Sequence, residues 1–261
     1  DNYNLWLQSR IKKSFDCEVL VTCGEHHLYH ASAAFNNSGF QSALVVVVDR
    51  MGSDHEELLR EAESVFKVNQ EYNFEPIYKS YWLYRAGGAI QDDENFKSTK
   101  ELKIKFPNCE IVTDSGLGIV KVYESATTLI GQHPLENGKV MGLSSYGKDK
   151  KFKNLFIEGI PNTNLFTHLA ELDNPSILKE YYHHKIDLNA PIPKDGYELY
   201  ADYAYQVQKQ TQNEVLSLVK RKVEETSSNN VCITGGYGLN VVNNENLVKN
   251  LPEVNFFFEP L

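Results

Sequence analysis

The stretch Ala43-Leu44-Val45-Val46-Val47-Val48-Asp49 decides how the rest of the sequence is read. An unbroken apolar run rich in β-branched residues predicts a strand buried on both faces, the kind found where helices cover a sheet on each side. Arg50-Met51-Gly52-Ser53-Asp54 follows with turn chemistry. Two further strands are predicted near residues 58–68 and 76–84, so that 42–84 forms a three-stranded meander, although the first of these two is also compatible with a helix. Upstream lie a short helix near residues 6–11, a strand at 18–22 and an alanine-rich helix at 26–35.

Downstream, residues 91–105 are polar and charged and read as a surface insertion, 120–130 has helical spacing, 138–147 reads as a loop, and 161–193 is irregular. The segment 197–225 is long, free of Gly and Pro and preceded by Asp195-Gly196, which predicts the best helix of the chain. A strand at 231–234, a glycine turn, a helix at 241–249 and a strand at 254–258 complete the pattern. A meander followed by strand–helix alternation predicts an α/β protein with a mixed sheet.

Composition narrows the function classes. The chain has 261 residues, 23% charged and 41% hydrophobic, enough for one large domain or two lobes. With 26 Lys+Arg against 35 Asp+Glu the net charge is −9, which argues against a broad nucleic-acid-binding face. Residues 43–48 form the longest aliphatic run, far short of the ~20 residues of a helical membrane span. No charged segment followed by an apolar one opens the chain, so no signal peptide is read. Cys17, Cys23, Cys109 and Cys232 show no C-x-x-C spacing and are read as reduced, buried thiols of a cytoplasmic protein, or of host cytoplasm if the source is viral. The chain starts at Asp1 and stops directly after a strand-like run, and is read as a piece of a longer protein truncated at both ends.

Four segments can carry chemistry. In Glu25-His26-His27-Leu28-Tyr29-His30 the spacing of His26 and His30 places both imidazoles on one helix face, a geometry suited to a shared metal ion; a solvated histidine cluster is the alternative. Ile233-Thr234-Gly235-Gly236-Tyr237-Gly238-Leu239-Asn240 is a strand entering a glycine turn and a helix, where Gly235 and Gly236 allow close approach of a nucleotide or phosphate and Asn240 adds an amide. It is neither a Walker loop nor a dinucleotide fingerprint, and it also reads as a plain turn. Asp49, ending the buried strand, can bind a metal, order a phosphate-site water or cap the turn. Lys139, within Gly138-Lys139-Val140-Met141-Gly142-Leu143-Ser144-Ser145-Tyr146-Gly147, can face phosphate or be an ordinary surface lysine.

Taken in order, these segments resemble the O-carbamoyltransferases of the nodulation-factor and cephamycin type. Glu25 to Phe35 followed by Ala43 to Asp49 is similar to that family's His-His-Leu-Ala-His-Ala segment and strand ending in Asp-Gly, with Tyr29 in place of the small residue and Arg50 in place of the glycine. Ser115-Gly116-Leu117-Gly118 with Tyr123, Thr127 and Leu129-Ile130-Gly131, then Lys139 to Gly147, then Thr234 to Asn240, follow the family's later motifs. Tyr237 and Gly238 stand where the family has Val-Ala.

The resemblance implies an actin/sugar-kinase/Hsp70-like (ASKHA) fold with ribonuclease-H-like lobes. Residues 1–40 would end the first lobe, 41–261 would form most of the second, and a separate YrdC-like adenylate-forming domain would follow residue 261. It implies transfer of a carbamoyl group from carbamoyl phosphate, through a carbamoyl-adenylate made with ATP, to a hydroxyl of a sugar, an antibiotic or a hydroxymethylated pyrimidine. It implies a divalent metal, Fe(II), on His26 and His30, with a further Asp ligand beyond residue 261. A homodimer is compatible with it. The competing readings are a threonylcarbamoyl-type transferase acting on tRNA and a non-catalytic nucleotide-binding ASKHA module.

Overall fold

β1 (Ala43–Val48) is buried along its whole length and runs through the middle of a seven-stranded sheet. In this computed structural model, residues 2–18, 25–55, 59–83, 92–113, 118–130, 132–133, 135–150, 154–157, 160–161 and 197–260 are described. On one side β1 pairs antiparallel with β3 (Leu59–Val68), which also holds the two-residue β2 (Asp54–His55) and pairs antiparallel with β4 (Phe74–Leu83). Thus the meander predicted from sequence is present, and the segment compatible with a helix is a strand. β5 (Glu110–Val112) adds parallel to β4. On the other side of β1, β8 (Asn230–Thr234) and then β9 (Asn255–Phe258) pair parallel, giving the order β5-β4-β3-β1-β8-β9. The sheet is mixed, and an antiparallel meander with parallel strands beyond its first member is the order of a ribonuclease-H-like lobe.

The alternation of side chains along β1 divides the core in two. Leu44, Val46 and Val48 face α4 (Ile119–Leu129) and the long α6 (Tyr197–Thr226), packing with Val120, Tyr123, Tyr203 and Val207. Ala43, Val45 and Val47 face α2 (His26–Ser38) and meet Ala31, Ala34 and Phe35. Because β1 is covered on both faces, neither face can carry polar side chains, which explains its composition. α7 (Val241–Asn250) links β8 to β9.

Several sequence expectations need correction. Residues 91–105 hold α3 (Asp92–Lys105), whose Leu102 is buried with Leu59 and Tyr81, so the segment is anchored to the sheet. The stretch read as a loop at 138–147 is mostly α5 (Asn137–Ser144): packing of buried Val140 against α4 and α6 overrides the weak helix propensity of Gly138 and Gly142. The first helix is longer than expected, α1 (Asn2–Phe15), and exposes Leu5, Trp6 and Phe15. Cys17 is exposed and Cys109 partly so; only Cys232 of the described free cysteines is buried. A short hairpin of β6 (Phe156–Ile157) and β7 (Ile160–Pro161) was not anticipated. The strand read at 18–22, Cys23 and most of 161–193 lie outside the described residues. Among the described residues no helix is long and apolar enough to cross a membrane.

Candidate metal and nucleotide site

The parallel pairing of β1 with β8, Val47 opposite Thr234, brings the carboxyl ends of both strands to one edge of the sheet, where open α/β sheets bind ligands. Asp49 leaves β1 with the parity of Val45 and Val47 and so lies on the α2 side. Its Oδ2 is 3.0 Å from His26 Nε2 and 3.8 Å from His30 Nε2, and the two imidazole nitrogens are 3.2 Å apart. Two donors bound about 2.1 Å from one ion stand roughly 3.0 Å apart at octahedral angles and roughly 3.4 Å apart at tetrahedral ones. The separations of 3.0 and 3.2 Å fall in that range, and the 3.8 Å between Asp49 and His30 lies a few tenths of an ångström beyond it, so that one ion would draw these two groups slightly together. Two imidazoles and one carboxylate are moreover the donor set of the facial triad that suits Fe(II). The residues present fit a metal, with Asp49 placed where it could serve as a third donor within this chain.

Asp49 is held by its other oxygen. Gly236 N–H donates to Oδ1 at 2.9 Å. Burial favours the neutral acid, yet the N–H groups of Gly236 and Arg50 and the ring of His26 hold the carboxyl below its usual range, so it is a carboxylate. For His30, burial and the neighbouring His26 lower the pKa against the opposing pull of Asp49, which favours the neutral imidazole a metal requires. Gly235 makes the turn possible: φ is 87° and ψ 171°, and a Cβ there would sit 2.5 Å from the Val48 carbonyl oxygen.

Behind the triad lies a buried polar cluster absent from the sequence reading. His27 is fully buried, and its Nδ1–H donates to Ser64 Oγ at 2.8 Å, whose hydroxyl donates to Glu61 Oε1 at 2.9 Å. Lys79 forms an ion pair with the same Glu61 oxygen. A bulge between Glu61 and Ser64 turns these two residues, three apart, to one side of the strand. Ser53 Oγ accepts the His26 N–H at 3.0 Å, replacing the local cap that Glu25 does not supply. Gly52 packs on His27: a Cβ at that glycine would lie 2.6 Å from the ring Nε2. The cluster therefore fixes both the start of α2 and the turn after Asp49.

Burial lowers the His27 pKa to about 4, with Glu61 opposing and Lys79 reinforcing. The unfolded ring titrates near the ordinary value of about 6.5. As pH falls from 6.5 toward 4 the unfolded chain takes up a proton that the native state refuses, so stability declines across that window and the contribution levels off below it. Urea midpoints measured between pH 7 and pH 4 should show this fall, and His27→Asn should flatten it. An unchanged slope in the variant would assign the loss to other groups.

The remaining predicted residues divide. Gly236 and Asn240 line a cavity of about 350 Å³ together with Arg50, Val120, Tyr123, Leu135, Asn137, Gly138, Met141, Tyr237 and Leu239. Asn240 is engaged within the protein. Its Oδ1 accepts from Asn243 N–H at 3.0 Å and from Gln208 Nε2 at 3.1 Å, and its Nδ2 donates to Gln208 Oε1 at 3.0 Å. It shapes the cavity wall rather than offering a free amide. Lys139 is not among the residues that line the cavity and pairs with Glu136 at 2.6 Å and Gln132 at 2.9 Å. Sequence reasoning missed Gln208, Glu61, Lys79 and Ser64. Glu61 and Glu63 inside a predicted strand were the available signal, since carboxylates in a covered strand need partners.

A family model described as the carbamoyltransferase N-terminus matches residues 3–261. The chain belongs to the carbamoyltransferase family. No curated protein matches it in sequence. Among solved structures it is similar to full-length HypF in the phosphate- and nucleotide-bound form, with a TM-score of 0.50 and 13% identity over 96% of this chain and 41% of that one. It is also similar to HypF of T. kodakarensis, with a TM-score of 0.52 and 13% identity over 97% of this chain and 35% of that one. The chain thus spans about two fifths or less of these structures, and the likeness establishes an ASKHA-like fold for this carbamoyltransferase segment.

Proposed function

We propose that this chain is the metal- and nucleotide-binding portion of an ATP-dependent O-carbamoyltransferase, in which a carbamoyl-adenylate made from carbamoyl phosphate and ATP delivers its carbamoyl group to an acceptor hydroxyl. The observation that carries the reading is the His26–His30–Asp49 triad lying against a glycine turn that also borders a cavity. In this reading His26, His30 and Asp49 would hold Fe(II), which would supply Lewis-acid stabilisation of phosphate charge.

The chain's own residues perform the rest. Asp49 ties the triad to the turn through Gly236, which also lines the cavity, so that metal site and cavity share this turn. Gly235 and Gly236 expose backbone where an adenylate can approach closely. Tyr123 and Tyr237, edge to face with centroids 5.8 Å apart, give the cavity an aromatic wall for a planar base. Tyr123 OH donates to Gln208 at 2.8 Å and Tyr237 OH to Thr211 at 2.7 Å, which locks both rings.

The test is to incubate the whole protein with ATP, labelled carbamoyl phosphate, ferrous iron and a panel of hydroxyl acceptors. Carbamoyl-adenylate and pyrophosphate should form in wild type, His26→Ala and His30→Ala alike, with onward transfer and the AMP it releases lost in both variants. Metal and nucleotide binding without carbamoyl chemistry for any acceptor would instead make this a binding module.

A further inference from the structure

A second buried carboxylate lies close behind the triad. Phe258 stands beside Ile233 in the parallel pairing of β9 with β8, and the Glu259 N–H continues it, donating to the Ile233 carbonyl at 3.0 Å. Glu259 thus falls next to Thr234, at the strand ends from which Gly235 turns away. Side-chain parity sends it to the α2 side, because Cys232 and Phe257, two residues earlier on each strand, pack in the α2 half of the core. There Asn37, two helical turns beyond His30 on the same face of α2, donates its Nδ2–H to Glu259 Oε1 at 2.9 Å.

This carboxylate is met by no cation of the protein. Glu259 is 7% exposed, and its Oε2 is buried without a hydrogen-bond partner among the described residues. The polar groups beside it on this face are neutral: the Asn37 amide, the Thr234 hydroxyl and the Cys232 thiol. Thr234 Oγ1 is itself buried without a partner among the described residues. Burial, opposed by Ser38 and reinforced by Glu259, pushes the Cys232 thiol up to about 11, so it stays protonated. A buried carboxylate bonded through one oxygen and facing no cation is unfavourable by itself.

The charge within its reach is that of the metal site. Burial lowers the His30 pKa, Asp49 opposes this, and Glu259 opposes it further. Two neutral imidazoles and one carboxylate leave a divalent ion with one uncompensated positive charge. Glu259 is not one of the groups whose donor atoms come together there, and its unpartnered oxygen has no open surface. It therefore acts through charge, which is weakly screened behind the triad, and not as a ligand.

We infer that Glu259 is the outer counter-charge of this metal centre, a positioning residue that strengthens the binding of a divalent cation by His26, His30 and Asp49 without ligating it. The inference rests on the metal site of the reading above.

Titration of the whole protein with cobaltous ion, read by visible absorption, tests it together with thermal unfolding of the apo and loaded forms. Glu259→Gln keeps an oxygen for Asn37 and removes the charge. It should weaken cobalt binding about tenfold to a hundredfold. Its spectrum at saturation should match wild type, because the three ligands remain. The rise in unfolding temperature on loading should shrink, while the apo variant is at least as stable as apo wild type. Glu259→Asp keeps the charge and should hold cobalt affinity within about threefold. The inference is overturned if Glu259→Gln binds cobalt as wild type does, or if Glu259→Asp loses as much affinity, which would assign the loss to shape. It is also overturned if the saturated spectrum changes, which would make Glu259 a ligand. An apo Glu259→Gln protein that is unfolded, or much less stable than apo wild type, would overturn it by making Glu259 a structural residue. A wild type that binds no divalent ion would remove the metal site and this inference with it, whereas tight cobalt binding indifferent to Glu259 removes only the role of Glu259.

Discussion

In an Asp49→Asn protein, metal affinity falls by about a hundredfold or more and carbamoyl transfer falls with it, while the protein remains folded. Asparagine keeps an oxygen to accept the Gly236 N–H but replaces the second carboxylate oxygen, 3.0 Å from His26 Nε2, with an amide nitrogen that is no ligand. Asp49→Ala removes both functions, so it should also loosen the turn and lower the unfolding temperature further than Asp49→Asn does. Titration with ferrous or cobaltous ion, followed spectroscopically, reads the metal effect, and thermal unfolding reads the structural one. If Asp49→Asn binds metal as wild type does, the third donor lies elsewhere and Asp49 serves the turn alone. The pair of variants separates these roles because its two oxygens have different partners.

Gly235→Ala should be the most damaging of the small substitutions, with a stability loss of about 2–4 kcal/mol. Its φ of 87° with ψ of 171° is a backbone region open almost only to glycine, and the added Cβ would meet the Val48 carbonyl oxygen at 2.5 Å. Both strand ends are fixed by the pairing of β1 with β8, so the backbone can escape only by swinging the turn outward. That motion withdraws the Gly236 N–H from Asp49, and metal affinity should fall together with stability. Urea unfolding and metal titration of the same sample give both quantities. A Gly235→Ala protein of wild-type stability and metal affinity would show that the turn relaxes freely and does not brace the site.

Much of this arrangement is legible in local sequence. The covered strand at 43–48 follows from its unbroken apolar run, and the His26–His30 pair follows from helical spacing, because both signals lie within a few residues of each other. The turn at Gly235-Gly236 is similarly local. Lys139 and Asn240 show where such reading ends. Their types suit phosphate and amide contacts, but whether either group is free depends on neighbours distant in sequence or across a helix turn: Gln208 engages Asn240, and Glu136 and Gln132 engage Lys139.

By itself, then, the sequence determined the central strand, the long helix, the histidine pair, the glycine turn and the family resemblance, since each rests on periodicity or on contiguous motifs. Tertiary structure alone decided that Asp49 completes the triad, because 19 to 23 residues separate it from His30 and His26 and only the packing of α2 against β1 closes that gap. It decided that Arg50, one residue on, faces the opposite side of the sheet into the cavity. It also decided that Glu61 and Ser64 share a face beneath His27, because the bulge that aligns them breaks the two-residue period from which a strand's faces are read.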